Sequence, residues 1–238
     1  MPDSATVLLS GGLDSAVLLH YAARRLQAKP LYALSFHYGQ RHARELDMAR
    51  WQAAKAGTTE HILLDLRPYR ELIAGASALL EGAAPVPDLA SLDAEARRQP
   101  PTYVPNRNLV MLSLAAAFAE SRACQTVLYG AQAQDEYGYW DCTPEFIACL
   151  NRTLALNRRC PVTVAAPFAD LPKSAGVRLG AELGVDFAHT WSCYRGEDRP
   201  CGACPTCVER RRAFADAGLA DPLAAESGDE FGGMIRLA

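Results

Sequence analysis

Residues 10–15 have the types and spacing of a phosphate-binding turn. They read Ser-Gly-Gly-Leu-Asp-Ser and join the apolar run 5–9 to the apolar helical pattern 14–26. Glycines permit a tight turn and a close approach to a ligand, and the free N–H groups and dipole at a helix start favour an anion. Serine hydroxyls add donors, and Asp14 can orient the turn or hold the magnesium ion of a nucleotide. The predicted phosphate-binding residues are Leu8, Leu9, Ser10, Gly11, Gly12, Leu13, Asp14 and Ser15.

Two commoner nucleotide motifs are absent. No Gly-Lys pair occurs in the sequence, which excludes the G-x-x-x-x-G-K-[ST] loop, and residues 11–14 do not match G-x-G-x-x-G. The turn is instead similar to the pyrophosphate loop of ATP pyrophosphatases, which transfer AMP to a substrate oxygen and release pyrophosphate. The alternative is an ordinary capped turn, because Ser, Gly and Asp are common turn and N-cap residues.

Four of the eight cysteines have metal-ligand spacing. Cys193, Cys201, Cys204 and Cys207 form C-x7-C-x2-C-x2-C, and four thiolates satisfy a tetrahedral zinc ion. Because four sulfurs leave no open coordination position, we predict a structural zinc site. An iron–sulfur cluster is the alternative, and a disulfide is disfavoured in a reducing cytoplasm.

Apolar and amphipathic segments alternate along the chain and predict the elements that position these residues. The predicted strands are 5–9, 31–36, 61–66, 126–129 and 162–165, and the predicted helices are 14–26, 41–56, 109–120, 144–156, 173–183 and 208–217. This order indicates an α/β fold, a Rossmann-like parallel sheet with helices on both faces, with ligands at the carboxyl ends of its strands. We expect a nucleotide-binding domain over 1–187, a zinc-binding subdomain over 188–222 and a tail over 223–238.

Two further features bound the function. Residues 75–101 lose periodicity and contain four prolines, which predicts a mobile loop and allows either a lid or a passive insertion. The chain has 238 residues and a net charge of −3, no apolar run long enough to span a membrane and no signal peptide. We therefore expect a soluble cytoplasmic protein that binds neither a membrane nor nucleic acid.

The turn and the cysteines together resemble the 7-cyano-7-deazaguanine synthase family of the pyrophosphate-loop superfamily. The resemblance covers nearly the whole chain. Six further segments carry it, in order: SFHYGQRH (35–42), TYVPNRN (102–108), GYWDCTPEF (138–146), DLPK (170–173), LGVD (183–186) and TWSCY (190–194). It implies an adenine nucleotide alpha hydrolase-like fold and a homodimer.

The resemblance also implies an AMP-forming C–N ligase of queuosine biosynthesis. Such an enzyme converts 7-carboxy-7-deazaguanine and ammonia to 7-cyano-7-deazaguanine through acyl-adenylate and amide intermediates. It uses ATP, Mg²⁺ and structural Zn²⁺, and it releases AMP and pyrophosphate. This chemistry requires mainly positioning and charge neutralisation from the protein.

By the same resemblance, the catalytic residues are Asp14, Arg107, Lys173, Arg41 and His42. Arg107 and Lys173 are the cations expected on the phosphates. Lys173 lies at a helix start, the wrong end of the dipole for a cation, which favours a functional role over a solvated one. His42 could relay protons or be a hydrogen-bonded structural residue.

The segment around residue 138 supplies a candidate base pocket. Aromatic faces can stack a deazaguanine and carboxylates can accept from its N–H edge, although an aromatic packing cluster is an alternative. The candidates are Asp135, Tyr137, Tyr139, Trp140 and Asp141.

The same segment departs from the family pattern at Tyr137, Trp140 and Thr143, where serine, proline and arginine are usual. Losing an arginine can change how the carboxylate or nucleophile is held, which leaves open whether the product is the nitrile or an amide. The main alternative is a divergent enzyme that joins the activated carboxylate to another amine, such as a protein N-terminus. A tRNA-thiolating enzyme and a zinc-stapled nucleotide-binding module without turnover are further alternatives.

Overall fold

The computed structural model describes residues 2–98, 100–132 and 139–224. Five parallel strands form one sheet in the order β3-β2-β1-β4-β5. Their bounds are β1 Ala5–Leu8, β2 Leu31–His37, β3 Glu60–Asp65, β4 Thr126–Leu128 and β5 Thr163–Ala165. The predicted parallel sheet is confirmed, and its strand order reverses between β1 and β4, where open α/β sheets bind ligands.

Helices cover both faces of the sheet, as predicted. They are α1 Leu13–Arg24, α2 Arg44–Ala56, α3 Arg67–Leu72, α4 Ala94–Arg98, α5 Arg107–Ser121, α6 Pro144–Leu154, α7 Lys173–Glu182 and α8 Pro205–Ala217. Alternate residues of β2 face opposite cores, since Leu34 packs with Leu112 of α5, whereas Ala33 packs with Val17 of α1 and Val177 of α7. None of the helices in the described part of the chain has the length and apolarity of a membrane span.

The segment 75–101 is packed against the body of the protein. Ala78, Leu79 and Leu80 are buried, and the backbone N–H of Leu89 donates to Ala203 O at 3.0 Å. The segment also contains α4 and a short 3-10 helix, Leu89–Ser91. A mobile loop was expected here, whereas the structure shows these packing contacts. The sequence did not predict them, because periodicity does not reveal contacts with distant residues. A lid role stays a prediction.

The C-terminal region joins the main body closely. Cys193 and Cys204 belong to the same apolar cluster as Leu34, and Phe214 of α8 packs edge-on against Phe187 at 5.2 Å between ring centroids. Helix α8 begins at residue 205, three residues before the predicted start. Of the predicted tail, Leu223 is buried and residues 225–238 lie outside the described residues.

Candidate active site

Hydrogen bonds within residues 10–15 organise the predicted phosphate turn. The Ser15 hydroxyl accepts from the backbone N–H groups of Ser10 and Gly11, each at 3.2 Å, and donates to Gly12 O at 3.0 Å. The Ser10 hydroxyl accepts from the Gly12 N–H at 3.1 Å. The two hydroxyls also lie 3.0 Å apart. The serines therefore shape the turn from inside, at the junction of β1 and α1.

Gly11 is fixed by its surroundings. Its φ is +90°, and a Cβ built on it would lie 1.9 Å from Glu45 O and 2.8 Å from Ala49 N. Both atoms belong to the backbone of α2, which cannot move away as a side-chain end could. Glycine at this position thus allows α2 to pack directly on the phosphate turn.

A cavity of about 270 Å³ opens at the carboxyl ends of β1 and β4, beside this turn. Seven of the eight predicted phosphate-binding residues line it, and Gly11 lies behind them. Asp14, Arg107, Lys173 and His42, from four separate segments, also line it. The fold therefore brings four of the five predicted catalytic residues together.

Lys173 is held between two carboxylates. Its Nζ lies 3.3 Å from Asp14 Oδ2 and 3.4 Å from Glu209 Oε2. The cation begins α7, and α8 supplies Glu209. Asp14 Oδ1 is buried and has no hydrogen-bond partner within the described residues. A buried carboxylate oxygen of this kind suits a divalent cation.

Arg107 begins α5 and points to Tyr38, whose hydroxyl lies 3.3 Å from Nη1. Its Nε donates to Asn108 Oδ1 at 3.2 Å. Asp141 lies against the start of α5 and is 2% exposed. Its carboxylate accepts hydrogen bonds from the backbone and side chain of Asn108. Burial raises the pKa of Asp141, and the Arg107 charge partly opposes that shift. Asp141 is not among the cavity-lining residues, so its position favours support of Arg107 over contact with a base.

His42 and Glu45 form a buried pair on the cavity wall. His42 Nε2 lies 3.3 Å from Glu45 Oε1, and the Gln40 side-chain N–H donates to the same oxygen at 3.2 Å. His42 and Glu45 are 4% and 8% exposed. His42 Nδ1 is buried with no partner in the part of the chain that is described. The Tyr194 ring lies 5.5 Å from the imidazole between centroids.

Arg41, which was predicted to be a catalytic residue, lies away from the cavity. The Arg41 guanidinium donates from Nε to Ala78 O at 3.0 Å and from Nη2 to Ala84 O at 3.1 Å, and it also binds Ala83 O. It is not among the residues that line the cavity. Its position favours holding the 75–101 segment over contacting a phosphate.

The predicted base-pocket residues are divided. Tyr139 lines the cavity, and its hydroxyl lies 2.7 Å from Thr102 Oγ1. Trp140 lies outside it, 45% exposed, with its indole N–H donating to Tyr103 Oη at 3.0 Å and its ring edge-on to Phe146. Asp135 and Tyr137 lie outside the described residues. The packing alternative thus fits Trp140 better than a stacking role.

The four predicted zinc ligands converge. Their Sγ atoms all lie within 4.8 Å of one another, and those of Cys201 and Cys207 are 4.0 Å apart. A tetrahedral zinc site with Zn–S near 2.3 Å has sulfurs about 3.8 Å apart. Backbone N–H groups of Cys201 and Cys204 donate to Sγ of Cys193 and Cys201 at 3.4 and 3.3 Å. Thiol hydrogen bonds from Cys193 and Cys207 lower the pKa of Cys204. The donor set fits a closed four-sulfur site.

Several cavity residues were missed by sequence reasoning. Glu45 and Glu209 each lie within a polar helix, where a carboxylate is ordinarily solvated, so only the packing of those helices reveals them. Tyr38 and Tyr194 belong to segments that carry the family resemblance, but other residues of those segments were selected as site candidates. The missed residues are Tyr38, Glu45, Glu209, Trp191, Ser192, Tyr194 and Thr206.

Comparison with known proteins places this site in context. Residues 4–218 match the family described as queuosine biosynthesis protein QueC. The chain is 40% identical over 226 residues to a 7-cyano-7-deazaguanine synthase of Marinobacter nauticus, covering 95% of this chain and 99% of that one. It is 44% identical over 229 residues to the synthase of the same name from Cupriavidus necator, covering 93% and 97%.

A solved structure supports the fold. The NMN synthetase of Francisella tularensis superposes with a TM-score of 0.51 at 16% identity, covering 94% of this chain and 82% of that one. At this identity the similarity extends to the fold alone.

Proposed function

The chain belongs to the QueC family of queuosine biosynthesis proteins, and from this premise we propose that it is an ATP-dependent, AMP-forming C–N ligase. Its substrates are 7-carboxy-7-deazaguanine and ammonia, and its product is 7-cyano-7-deazaguanine. The single observation that carries the proposal is one cavity lined by the Ser10–Ser15 turn, Lys173 and Arg107. A nucleoside triphosphate and a carboxylate substrate would need these groups close together.

The chemistry gives each group a task. A carboxylate resists attack because its charge and resonance repel a nucleophile. Attack of its oxygen on the α-phosphorus of ATP produces an acyl adenylate and releases pyrophosphate, after which ammonia displaces AMP. A second adenylation, on the amide oxygen, permits elimination to the nitrile. Positioned cations and N–H groups stabilise the charge that builds up on the departing pyrophosphate.

The phosphate end of the site consists of the turn and Lys173. Backbone N–H groups at the start of α1 would hold the β- and γ-phosphates, and Lys173 would exchange part of its contact with Asp14 and Glu209 for phosphate oxygens. The unpartnered Oδ1 of Asp14 is the atom that would hold Mg²⁺, which would neutralise phosphate charge.

We assign a structural role to the cysteine site. Four thiolates fill a tetrahedral zinc shell and leave no position for substrate. Cys193, Cys201, Cys204 and Cys207 would hold Zn²⁺ and fix the chain that leads from Trp191 to α8.

The nitrile is favoured over the amide as the product, because two departures from the family pattern point away from the cavity. The Thr143 hydroxyl accepts from the Phe146 N–H and so caps α6. Trp140 packs outside the cavity lining. Neither residue therefore alters the wall that would hold the carboxylate, while Tyr137 lies outside the described residues.

The test is a complete reaction with the zinc-loaded protein, ATP, Mg²⁺, 7-carboxy-7-deazaguanine and isotopically labelled ammonium, followed by mass spectrometry. Labelled nitrile together with AMP is expected. Labelled amide alone would favour the alternative ligase that joins the carboxylate to another amine, and absence of AMP would refute both. The Lys173→Met variant controls for a contaminating ATPase.

Two properties stay predictions from the family resemblance and composition. We propose a homodimer, which light scattering on the eluting peak of a sizing column would test. We also propose a cytoplasmic location, which fractionation of the native host would test.

A further inference from the structure

A carboxylate and an imidazole share one buried wall of the cavity. Glu45 lies in the first turn of α2, and its backbone carbonyl is the atom that a Cβ at Gly11 would strike. The His42–Glu45 pair therefore lies on the segment packed directly against the phosphate turn. The proposed function assigns no role to Glu45.

The contact between the two side chains fixes the tautomer of His42. An ionised carboxylate can only accept, so the 3.3 Å contact requires the proton of the neutral ring to be on Nε2. Nδ1 then carries a lone pair, and it is buried with no partner among the residues described. His42 is thus a base whose orientation is set by the Glu45 carboxylate, as in triads where a carboxylate orients a histidine.

The surroundings of the pair favour a positive charge on His42. Within the described chain the Glu45 carboxylate contacts Gln40 and His42 and no permanent cation, and burial of an uncompensated charge is unfavourable. The Tyr194 ring next to His42 would stabilise a positive imidazole through its π face. A cation in the cavity that transfers a proton to Nδ1 would give His42 the charge that compensates Glu45.

We infer that His42, positioned by Glu45, accepts a proton from ammonium in the cavity, an inference that rests on the proposed function. One N–H bond of ammonium breaks and its proton moves to His42 Nδ1. The freed lone pair of ammonia forms the C–N bond to the acyl carbon while the bond from that carbon to the AMP oxygen breaks. The second surplus proton leaves with the AMP phosphate. Glu45, at the opposite edge of the ring, orients His42 and stabilises the imidazolium.

The test separates nitrogen chemistry from adenylation. ATP–pyrophosphate exchange driven by 7-carboxy-7-deazaguanine reports adenylation without ammonium. Steady-state kinetics in ammonium report the whole reaction, and hydroxylamine, already neutral near pH 7, reports acyl transfer without a deprotonation step. We expect Glu45→Gln to lower kcat/KM for ammonium at least about tenfold, the scale of the charged hydrogen bond that the imidazolium would lose. Exchange and hydroxamate formation should stay within about twofold of the wild type.

Asp47→Asn is the matched control, because Asp47 also lies in the first turn of α2 but is exposed and paired with Arg50. It should leave all three readings unchanged. An unchanged kcat/KM for ammonium in Glu45→Gln, or an equal loss in all three assays, would overturn the inference. His42→Gln, which should lower kcat with ammonium and spare the hydroxylamine reaction, decides the matter if Glu45→Gln does not fold. Wild-type protein without substrate-driven exchange would instead refute the proposed function, and the inference with it.

Discussion

The backbone N–H of Trp191 donates a hydrogen bond to the carbonyl oxygen of Gly11 at 3.0 Å. Trp191 is 3% exposed, and its indole N–H donates to Cys193 O at 3.0 Å. One residue therefore connects the middle of the phosphate turn with the first cysteine of the cluster. We therefore expect the turn to lose order when the cysteine segment does.

Metal removal should therefore reduce nucleotide binding as well as stability. Chelation would leave four unligated cysteines that repel one another or oxidise. It would also weaken the hydrogen bond from Trp191 to Gly11. We expect a lower melting temperature and a parallel loss of ATP–pyrophosphate exchange, both restored by Zn²⁺. Differential scanning fluorimetry and the exchange assay measure the two effects.

Cysteine variants give the same test without a chelator. Cys204→Ser, at a buried ligand position, should reproduce the effects of chelation, whereas Cys149→Ser, at an exposed free cysteine, should be neutral. Full exchange activity in metal-free protein would contradict the proposed link.

Gly11→Ala should unfold the protein or abolish its activity. The new Cβ would meet the backbone of α2 at 1.9 Å and would also require φ of +90°. Overpacking and the left-handed backbone together should lower the free energy of unfolding by at least about 3 kcal/mol.

Gly57→Ala separates these two causes. Gly57 has φ of +71° but open space around its Cβ position, so only the backbone cost of about 1 kcal/mol should appear in urea unfolding. Equal losses in the two variants would show that the approach of α2 is unimportant.

The sequence was sufficient to predict the elements that repeat a local pattern. All five strands and their parallel arrangement followed from the alternation of apolar and amphipathic segments, because each strand and helix buries a face against its immediate neighbours. The turn at residues 10–15 and the convergence of the four cysteines were also predictable, since the residues of each are close in sequence.

Contacts between distant segments could not be predicted in the same way. Arg41 precedes α2 and was expected to be a catalytic residue near the site, but the carbonyls of 78–84 are the acceptors that it reaches. Asp141 was expected on a ligand, but the start of α5 covers it. Glu45 was not singled out, because only the packing of α2 on Gly11 brings it to the cavity. Each outcome depends on a partner more than thirty residues away, for which the local pattern carries no signal.

Lys173→Met should impair catalysis far more than stability. Losing the cation beside the phosphate turn should lower kcat/KM for ATP about 100-fold, the usual cost of one such electrostatic contact. The free energy of unfolding should change by about 1 kcal/mol or less, because the ion pairs with Asp14 and Glu209 are partly exposed and a cation at a helix start is unfavourable.

Lys55→Met provides the control, since Lys55 lies in the last turn of α2, far along the helix from the phosphate turn. Its kinetics should match those of the wild type. A Lys173→Met variant that binds and uses ATP normally would exclude Lys173 from the phosphate site.

Acidification should destabilise the fold through two histidines, of which His20 is buried and His61 is partly buried. Burial lowers the pKa of His20 below its ordinary 6.5, although a hydrogen bond to Gln52 partly opposes this. Burial, with a smaller effect of the Arg50 charge, also lowers the pKa of His61. The unfolded chain therefore takes up protons near pH 6.5 while the folded chain does not, so stability is complete above that pH and is lost as pH falls below it. Each group contributes up to about 1.4 kcal/mol per pH unit.

Urea unfolding of the wild type and of His61→Gln between pH 7 and about pH 5 measures this effect. The variant should show a shallower loss of stability on acidification, because one proton-binding site has been removed from the unfolded state. Burial raises the pKa of Asp141, which acts in the opposite direction, but this contribution is common to both proteins and cancels in their difference. Parallel slopes for the two proteins would show that His61 is not held neutral by folding.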